Sequence, residues 1–394
     1  MIRRPLLLLS IAAPLAAQQP VSDSVVVDTV APGLVRTDVV RAQGPWRVHL
    51  VSIDLRDGRY TLRSVRALDS LRGREKVSDM ARRARAAGHV VRVAINADFF
   101  DLKTGESINN QVSGGRIWKA LSMSGLPGGA VRSARGQFAL TRAGRPVMER
   151  FVFTGVLHTG RRFWALDGVN AIPSNGQGLV LWLPESNGRA RADSARPGRE
   201  LRVTVAGAWR DSLVLRAHGR PVAAGFAPLA ADEGVLVAYG ATAARLDSLV
   251  AQPRPLVARA DWLPSVGAIE ELVGGWPVIL RDGYSAVEQS ATREITGKSN
   301  TDVRHPRSLI GFDADTSHLF LVAIDGRSPA SVGMTLAEAA EFLRGFGVAF
   351  ALNLDGGGST VLLVDDRIVN RPSDPAGERP VANALLVEER KPKP

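Results

Sequence analysis

The pattern of hydrophobic and polar positions marks out strands along most of the chain, with few helices. Trp46-Arg47-Val48-His49-Leu50-Val51-Ser52-Ile53 alternates as a half-buried strand does, and Asp57-Gly58 predicts a hairpin turn into a second strand over 60–65. A helical period runs over 77–87 with Gly88 as its stop. The apolar run 90–95 predicts a buried strand that ends in the polar Asn96-Ala97-Asp98. From about 110 to 285 the chain breaks into short β-type runs, at 136–141, 152–157, 178–183, 201–205 and 235–239. The stretch 184–200 is a loop, and 241–251 fits one short helix.

The last third is more regular. The apolar strand 319–324 is closed by Asp325-Gly326-Arg327, and a helix over 335–346 begins with the capping box Thr335 and Glu338. A second apolar strand, 349–354, is closed by Asp355 and three glycines. Parallel pairing of these strands through a right-handed crossover places their carboxyl ends on one sheet edge, where ligands bind. Asp325 and Asp355 then stand at neighbouring strand ends. If the 90–95 strand joins the same sheet, Asn96 and Asp98 join them. The fold class is α+β: mixed β-sheets, a few packing helices, and a strand-helix-strand unit in the C-terminal third.

Composition narrows the setting. Of 394 residues, 45% are hydrophobic and 23% charged, an ordinary globular balance with length for one large core or two moderate ones. Arg3 and Arg4 followed by the apolar run 6–13 and Pro14-Leu15-Ala16-Ala17 predict a signal peptide over 1–17. A short membrane anchor is the alternative use of the same segment. Residues 18–44 lack a clear period and are expected to be a linker. They lead into one domain over 45–388, with a β-rich middle over 120–285 and a tail over 389–394. With no cysteine, disulfides, thiolate metal sites and a cysteine nucleophile are excluded. Export without disulfides fits a bacterial periplasm or exterior. The net charge of +11 is spread along the chain and aromatics are only 6%, which does not make the clustered patch that nucleic acid requires.

The segment Asn353-Leu354-Asp355-Gly356-Gly357-Gly358-Ser359-Thr360 holds the strongest chemical signal. Three glycines cost backbone entropy and give nothing to a core. They permit positive φ, close approach of a ligand, and a concavity of backbone N–H groups suited to an anion. A tight hairpin is the plain alternative. The segment is neither a Walker loop nor a nucleophile elbow, and the chain has no His-Glu-x-x-His. Arg304 and Arg307 beside Pro306 could clamp a phosphate, since a guanidinium fork matches its oxygens; solvated surface arginines are the alternative. His305 reads as a packed loop histidine, and Trp276 as a core tryptophan before a sugar platform. The other histidines, His49 among them, have no partner nearby in sequence and no assigned role.

Six segments in order resemble the phosphodiester glycosidase family. They are Ala94-Ile95-Asn96-Ala97-Asp98-Phe99-Phe100; Val273-Gly274-Gly275-Trp276-Pro277 with Asp282-Gly283; Arg304-His305-Pro306-Arg307-Ser308-Leu309-Ile310-Gly311; Ile324-Asp325-Gly326-Arg327; the glycine segment from Leu352; and Arg379-Pro380-Val381-Ala382-Asn383-Ala384-Leu385. The likeness spans 45–388 and is strongest from 270 onward. Ala97 and Ser308 stand where members carry glycine and threonine.

The resemblance implies hydrolysis of a sugar from a sugar-1-phosphodiester in the cell envelope or an exopolysaccharide. A non-catalytic carbohydrate-binding protein and an exo-glycosidase on neutral polysaccharide are the alternatives. On this reading Arg307, joined by Arg327, contacts the phosphate with the turn Gly356, Gly357 and Gly358. Asp355, ahead of Asp325, is the candidate nucleophile or general base. Asn96, Asp98, Asn353 and Asn383 orient sugar hydroxyls and carboxylates, and Ser359 donates a hydrogen bond. The reaction requires no cofactor, although carboxylates and amides around Asp98 and Asp355 also suit a divalent cation. The expected partner is a carbohydrate phosphodiester. Nucleic acid and stable membrane insertion after leader removal are not expected, and the oligomeric state is left open.

Overall fold

The computed structural model describes residues 22–390 apart from 122–134, 251–254 and the loop positions 161, 174, 187–190, 194, 210–211 and 227. The expected signal peptide lies outside the described residues. The architecture is α+β, with four β-sheets and a few helices.

The strand His318–Ile324 is apolar along almost its whole length because both its faces are covered. Phe320, Val322 and Ile324 enter one core cluster, whereas Leu319, Leu321 and Ala323 enter another. This strand lies in an eight-stranded sheet with the spatial order Ser24–Ala31, Leu34–Arg41, Trp46–Asp54, His318–Ile324, Arg307–Phe312, Phe350–Asn353, Val278–Arg281, Tyr284–Ser285. Neighbours throughout are antiparallel. Helix Leu336–Arg344 covers the outer face with Leu336, Ala339, Ala340 and Leu343. Burying each leucine contributes roughly 1.5–3 kcal/mol. The capping box forms as expected: Thr335 accepts from the Glu338 N–H, and Glu338 accepts from the Thr335 N–H.

The inner face packs on a five-stranded antiparallel sheet, in the order Arg367–Ile368, Leu362–Val364, Val90–Asn96, Asn383–Glu389, Tyr60–Arg66. Val93, Ile95, Leu385 and Val387 meet Val51, Ile53, Leu321 and Leu352 there. Helix Val77–Ala86 closes the far side with Val77, Met80, Ala81 and Ala84, and Gly88 takes φ +86° just beyond it. The order of layers is helix, sheet, sheet, helix.

Four expectations are corrected. The supposed linker over 18–44 holds the paired strands Ser24–Ala31 and Leu34–Arg41, which shield the edge of Trp46–Asp54. Its period was hidden because Val25, Val26 and Val27 are exposed. Asp57-Gly58 does not turn a hairpin; it hands the chain from the eight-stranded to the five-stranded sheet. The two strands flanking Leu336–Arg344 do run parallel, but Arg307–Phe312 lies between them, antiparallel to both. Val90–Asn96 belongs to the other sheet, so Asn96 and Asp98 reach Asp355 across the interface of two sheets.

The middle of the chain supplies most of a thirteen-stranded sheet around a separate apolar cluster that includes Leu157, Leu181, Leu201 and Leu236. The expected runs appear within Gln137–Thr141, Val152–Phe153, Gly155–Thr159, Gly178–Trp182, Gly198–Trp209 and Glu233–Tyr239. The 241–251 segment forms a short 3-10 turn and then Asp247–Val250.

Candidate active site

Asn96 closes its strand fully buried, with its amide engaged on both sides. Its Nδ2 donates to the Asp355 carbonyl at 2.6 Å. Its Oδ1 accepts from the Ser308 hydroxyl at 2.7 Å and from the Val361 N–H at 3.1 Å. The Asp355 N–H donates to Ala97 O at 2.8 Å. Asn96 therefore pins the ends of three strands from two sheets together and is itself wholly buried. The resemblance gave Asn96 the orientation of sugar hydroxyls and carboxylates; the bonds it makes here serve the Asp355 turn.

This pin sets two carboxylates side by side. Asp98 is 1% exposed; one oxygen accepts from Asn109 Nδ2 at 2.7 Å and the other from the Asn109 N–H at 2.9 Å. Burial pushes its carboxyl up to about 6 against these hydrogen bonds. Asp355 keeps a partly exposed edge. Burial of its carboxyl, together with the charge of Asp98, pushes it up to about 7, opposed by the Ser359 hydroxyl and by Arg379. Asn383 holds Asp98 from behind, accepting its N–H at 2.8 Å and donating to Gln111 Oε1 at 3.2 Å. Arg66, also buried, donates to the same Gln111 oxygen at 2.6 Å. Asn383, 1% exposed, supports Asp98 rather than touching substrate.

The glycine turn differs from the expected backbone cradle. Three N–H groups face inward: Gly357 to Pro306 O, Ser359 to Gly356 O and Thr360 to Gly357 O. The glycines are needed for close approach. A β-carbon on Gly356 would stand 2.7 Å from Pro306 O. One on Gly357, which has φ +62°, would stand 2.9 Å from the Arg327 guanidinium, and one on Gly358 would overlap that of Arg379. Positive charge at the turn thus comes from two side chains. Arg327 is exposed, and Arg379 is held by Asp374 at 2.7 Å. Arg327 was expected. Arg379 belongs to the last of the six family-like segments, but one arginine among so many carries no local signal in the sequence.

A third guanidinium, Arg135, lies 3.8 Å from the centre of the Trp276 ring, and Asp98 and Glu294 supply the negative charge around it. Trp276 is further fixed by an edge contact with Phe99 and by donation from Nε1 to Glu294 O at 2.9 Å. The face under Arg135 is not available to a sugar.

The remaining candidates surround the glycine turn with their side chains engaged in other contacts. Arg307 is 2% exposed and donates to Met334 O, Asn300 Oδ1, Asn300 O and Val303 O at 2.7–3.0 Å. Burial draws it down to about 10. It ties loops to the sheet, correcting the phosphate role expected of it. Arg304 pairs with Glu338 at 2.6 Å, and His305 stands 3.0 Å from Ser299 O. Asp325 accepts from the Arg371 N–H at 2.8 Å and stands 3.5 Å from His49 Nε2, while His49 Nδ1 meets Asp38 at 2.7 Å. That network anchors the loop bearing Arg327, so Asp325 is corrected from reactive group to anchor. Asn353 donates to Trp276 O at 2.6 Å; its Oδ1 and the Thr360 hydroxyl, both buried beside the turn, have no protein partner. Among the described residues, no three His, Asp or Glu side chains are grouped to hold a metal ion.

Between the two sheets, then, the structure brings the buried carboxyls of Asp98 and Asp355 to a glycine turn flanked by Arg327 and Arg379. Residues 230–388 match the phosphodiester glycosidase family, and the chain resembles that family on this segment. The SPbeta prophage-derived uncharacterized protein YomE of Bacillus subtilis is 34% identical over 129 residues, 32% of this chain and 19% of that protein. The mouse N-acetylglucosamine-1-phosphodiester alpha-N-acetylglucosaminidase is 31% identical over 119 residues, 28% of this chain and 23% of that enzyme. The chain thus spans about a fifth of the length of these curated relatives. A hypothetical protein from Synechocystis shares the fold, with a TM-score of 0.70 at 22% identity, over 95% of this chain and 65% of that one.

Proposed function

We propose that this chain is a hydrolase that cleaves a sugar from a sugar-1-phosphodiester, with Asp355 as the reactive carboxylate. The observation that carries the reading is the Asp98–Asp355 pair set against a glycine turn flanked by Arg327 and Arg379. The bond broken is that from the anomeric carbon to the phosphate oxygen; the phosphate departs as a monoester and water supplies the new hydroxyl. Such a leaving group needs little protonation, so positive charge on the phosphate and a carboxylate at the anomeric carbon are the larger requirements. Arg327 and Arg379 supply the first. Asp355, titrating near 7, is poised for the second. Burial, with the charge of Asp98 added to it, holds Asp355 in that range, and Asn96, Asn109 and Asn383 hold both in place. The mouse relative's name, which specifies a sugar-1-phosphodiester, supports the substrate class.

Paired carboxylates weigh against a non-catalytic binder, and the two arginines at the turn weigh against a neutral polysaccharide. Export remains our proposal from the leader-like start. No helix among the described residues is long and apolar enough to cross a membrane.

The test is activity on a panel of sugar-1-phosphodiesters and matched plain α-glycosides, with and without chelator. The phosphodiester should be preferred by at least about a hundredfold in kcat/KM, which corresponds to roughly 2.7 kcal/mol of transition-state contact with phosphate. Arg379→Gln should erase most of that preference and leave the glycoside rate within about threefold. Equal rates on both substrate classes would count against a phosphate site.

A further inference from the structure

The thirteen-stranded sheet does not enclose one continuous core. One apolar cluster includes Leu181, Leu201 and Leu236; a second includes Val112, Ala139 and Ile269. Between them lies a cavity of about 660 Å³, walled by Phe153, Leu166 and Leu181 on one side and by Val112, Trp262 and Ile269 on the other. Packed interiors keep few voids larger than a water molecule, whereas small-molecule sites measure roughly 300–1,000 Å³ and are lined mainly by apolar side chains. The hollow falls within the size range of such sites.

Its mouth has the opposite character. Arg116, Arg142 and Arg259 stand there with one lining carboxylate, Asp261. Each guanidinium rests on an acid, Glu185, Glu270 and Asp261 respectively, yet the arginine side chains stay 58%, 48% and 57% exposed. Arg142 and Arg259 can turn to an incoming anion with their acids left in water, Glu270 being 36% and Asp261 42% exposed, whereas Arg116 adds its charge from its place on Glu185, which is 5% exposed. The cavity is also separate from the catalytic pair. Gln111 belongs to the network behind Asp98, while the next residue, Val112, lines the cavity, so strand Gln111–Ser113 lies between the two.

We propose that this cavity binds a single-chain amphipathic anion, its apolar tail against Leu181 and Phe153 and its acidic head among Arg116, Arg142 and Arg259. The full chain is titrated calorimetrically with laurate, dodecyl phosphate and dodecanol below their aggregation limits. Saturable one-to-one binding of laurate or dodecyl phosphate is expected, and the tighter of the two identifies a fatty-acid or a phospholipid-like head. Dodecanol should bind at least about tenfold more weakly. Ala260→Trp and Ala258→Phe, which fill the cavity, should each lower affinity at least about tenfold with Tm unchanged or raised and phosphodiester hydrolysis retained. Absence of saturable anion binding, equal binding of dodecanol, or unchanged binding by both folded variants would overturn the proposal. Each readout stands whether or not the catalytic reading does.

Discussion

At the scale of single residues, Asp98 and Asp355 were legible because each follows an apolar strand into a polar stop, a pattern that exposes a side chain at a sheet edge. Asn109 was not, since it approaches Asp98 from a loop whose course sequence does not set. Arg307 misled for a related reason: its four acceptors come from 300–303 and 334, and only the fold gathers them. The carboxyl pair carries two predictions. Activity should rise with pH through about 7, as Asp355 ionises. Asp98→Asn removes the like charge beside it, the smaller of the two raising causes after burial, and should move that acid limb to lower pH, measured as kcat/KM against pH. An unmoved limb would detach Asp355 from the profile. Stability should run the other way. The folded Asp98 carboxyl titrates near 6, above its unfolded value, so its contribution is full below about pH 4 and is lost as pH rises through 6. The loss is on the order of 3 kcal/mol. In denaturant titrations Asp98→Asn should therefore fare better against wild type at about pH 8 than at about pH 4; a difference independent of pH would contradict this.

At the scale of elements, helix Leu336–Arg344 and the apolar strands beside it could be read from sequence, because burial on both faces leaves continuous apolar runs and a capping box leaves a local mark. The neighbours of those strands could not. Pairing depends on which strand fills the gap, and Arg307–Phe312, which precedes both in sequence, lies between them in the sheet. Asn96 shows what sequence could suggest only by resemblance, a side chain fastening the Asp355 turn to the other sheet. Asn96→Ala leaves the Ser308 hydroxyl, the Val361 N–H and the Asp355 carbonyl without their partner in a buried place. The expected cost is about 2–4 kcal/mol, with a loss of turnover larger than the loss of affinity. A variant with wild-type stability and kinetics would show that the pin is dispensable.

At the scale of the whole molecule, the site rests on two sheets brought face to face, while the middle of the chain builds a separate sheet with its own core. The strands of the thirteen-stranded sheet run from Gln111 to Gly274, beside the β-rich middle expected over 120–285, and the chain before 45, expected to be a linker, already belongs to the eight-stranded sheet. The exposed Ser24–Ala31 strand has no readable period, and Leu34, Thr37 and Val39 of the next strand bury too few positions to announce one. Removal of 22–41 should expose the edge of Trp46–Asp54 and the apolar Val48 and Val51 nearby, lowering Tm by at least about 5 °C. A truncated chain as stable as the full one would return the segment to a linker.

The central claim is that Asp355, held between sheets and beside two arginines, cleaves a sugar-phosphate bond. It is tested most directly by comparing wild type and Asp355→Asn for release of sugar from the preferred sugar-1-phosphodiester, with circular dichroism confirming that both are folded. The variant should lose at least about 10³-fold in kcat, with KM within about threefold. Hydrolysis by the folded variant at the wild-type rate would contradict it.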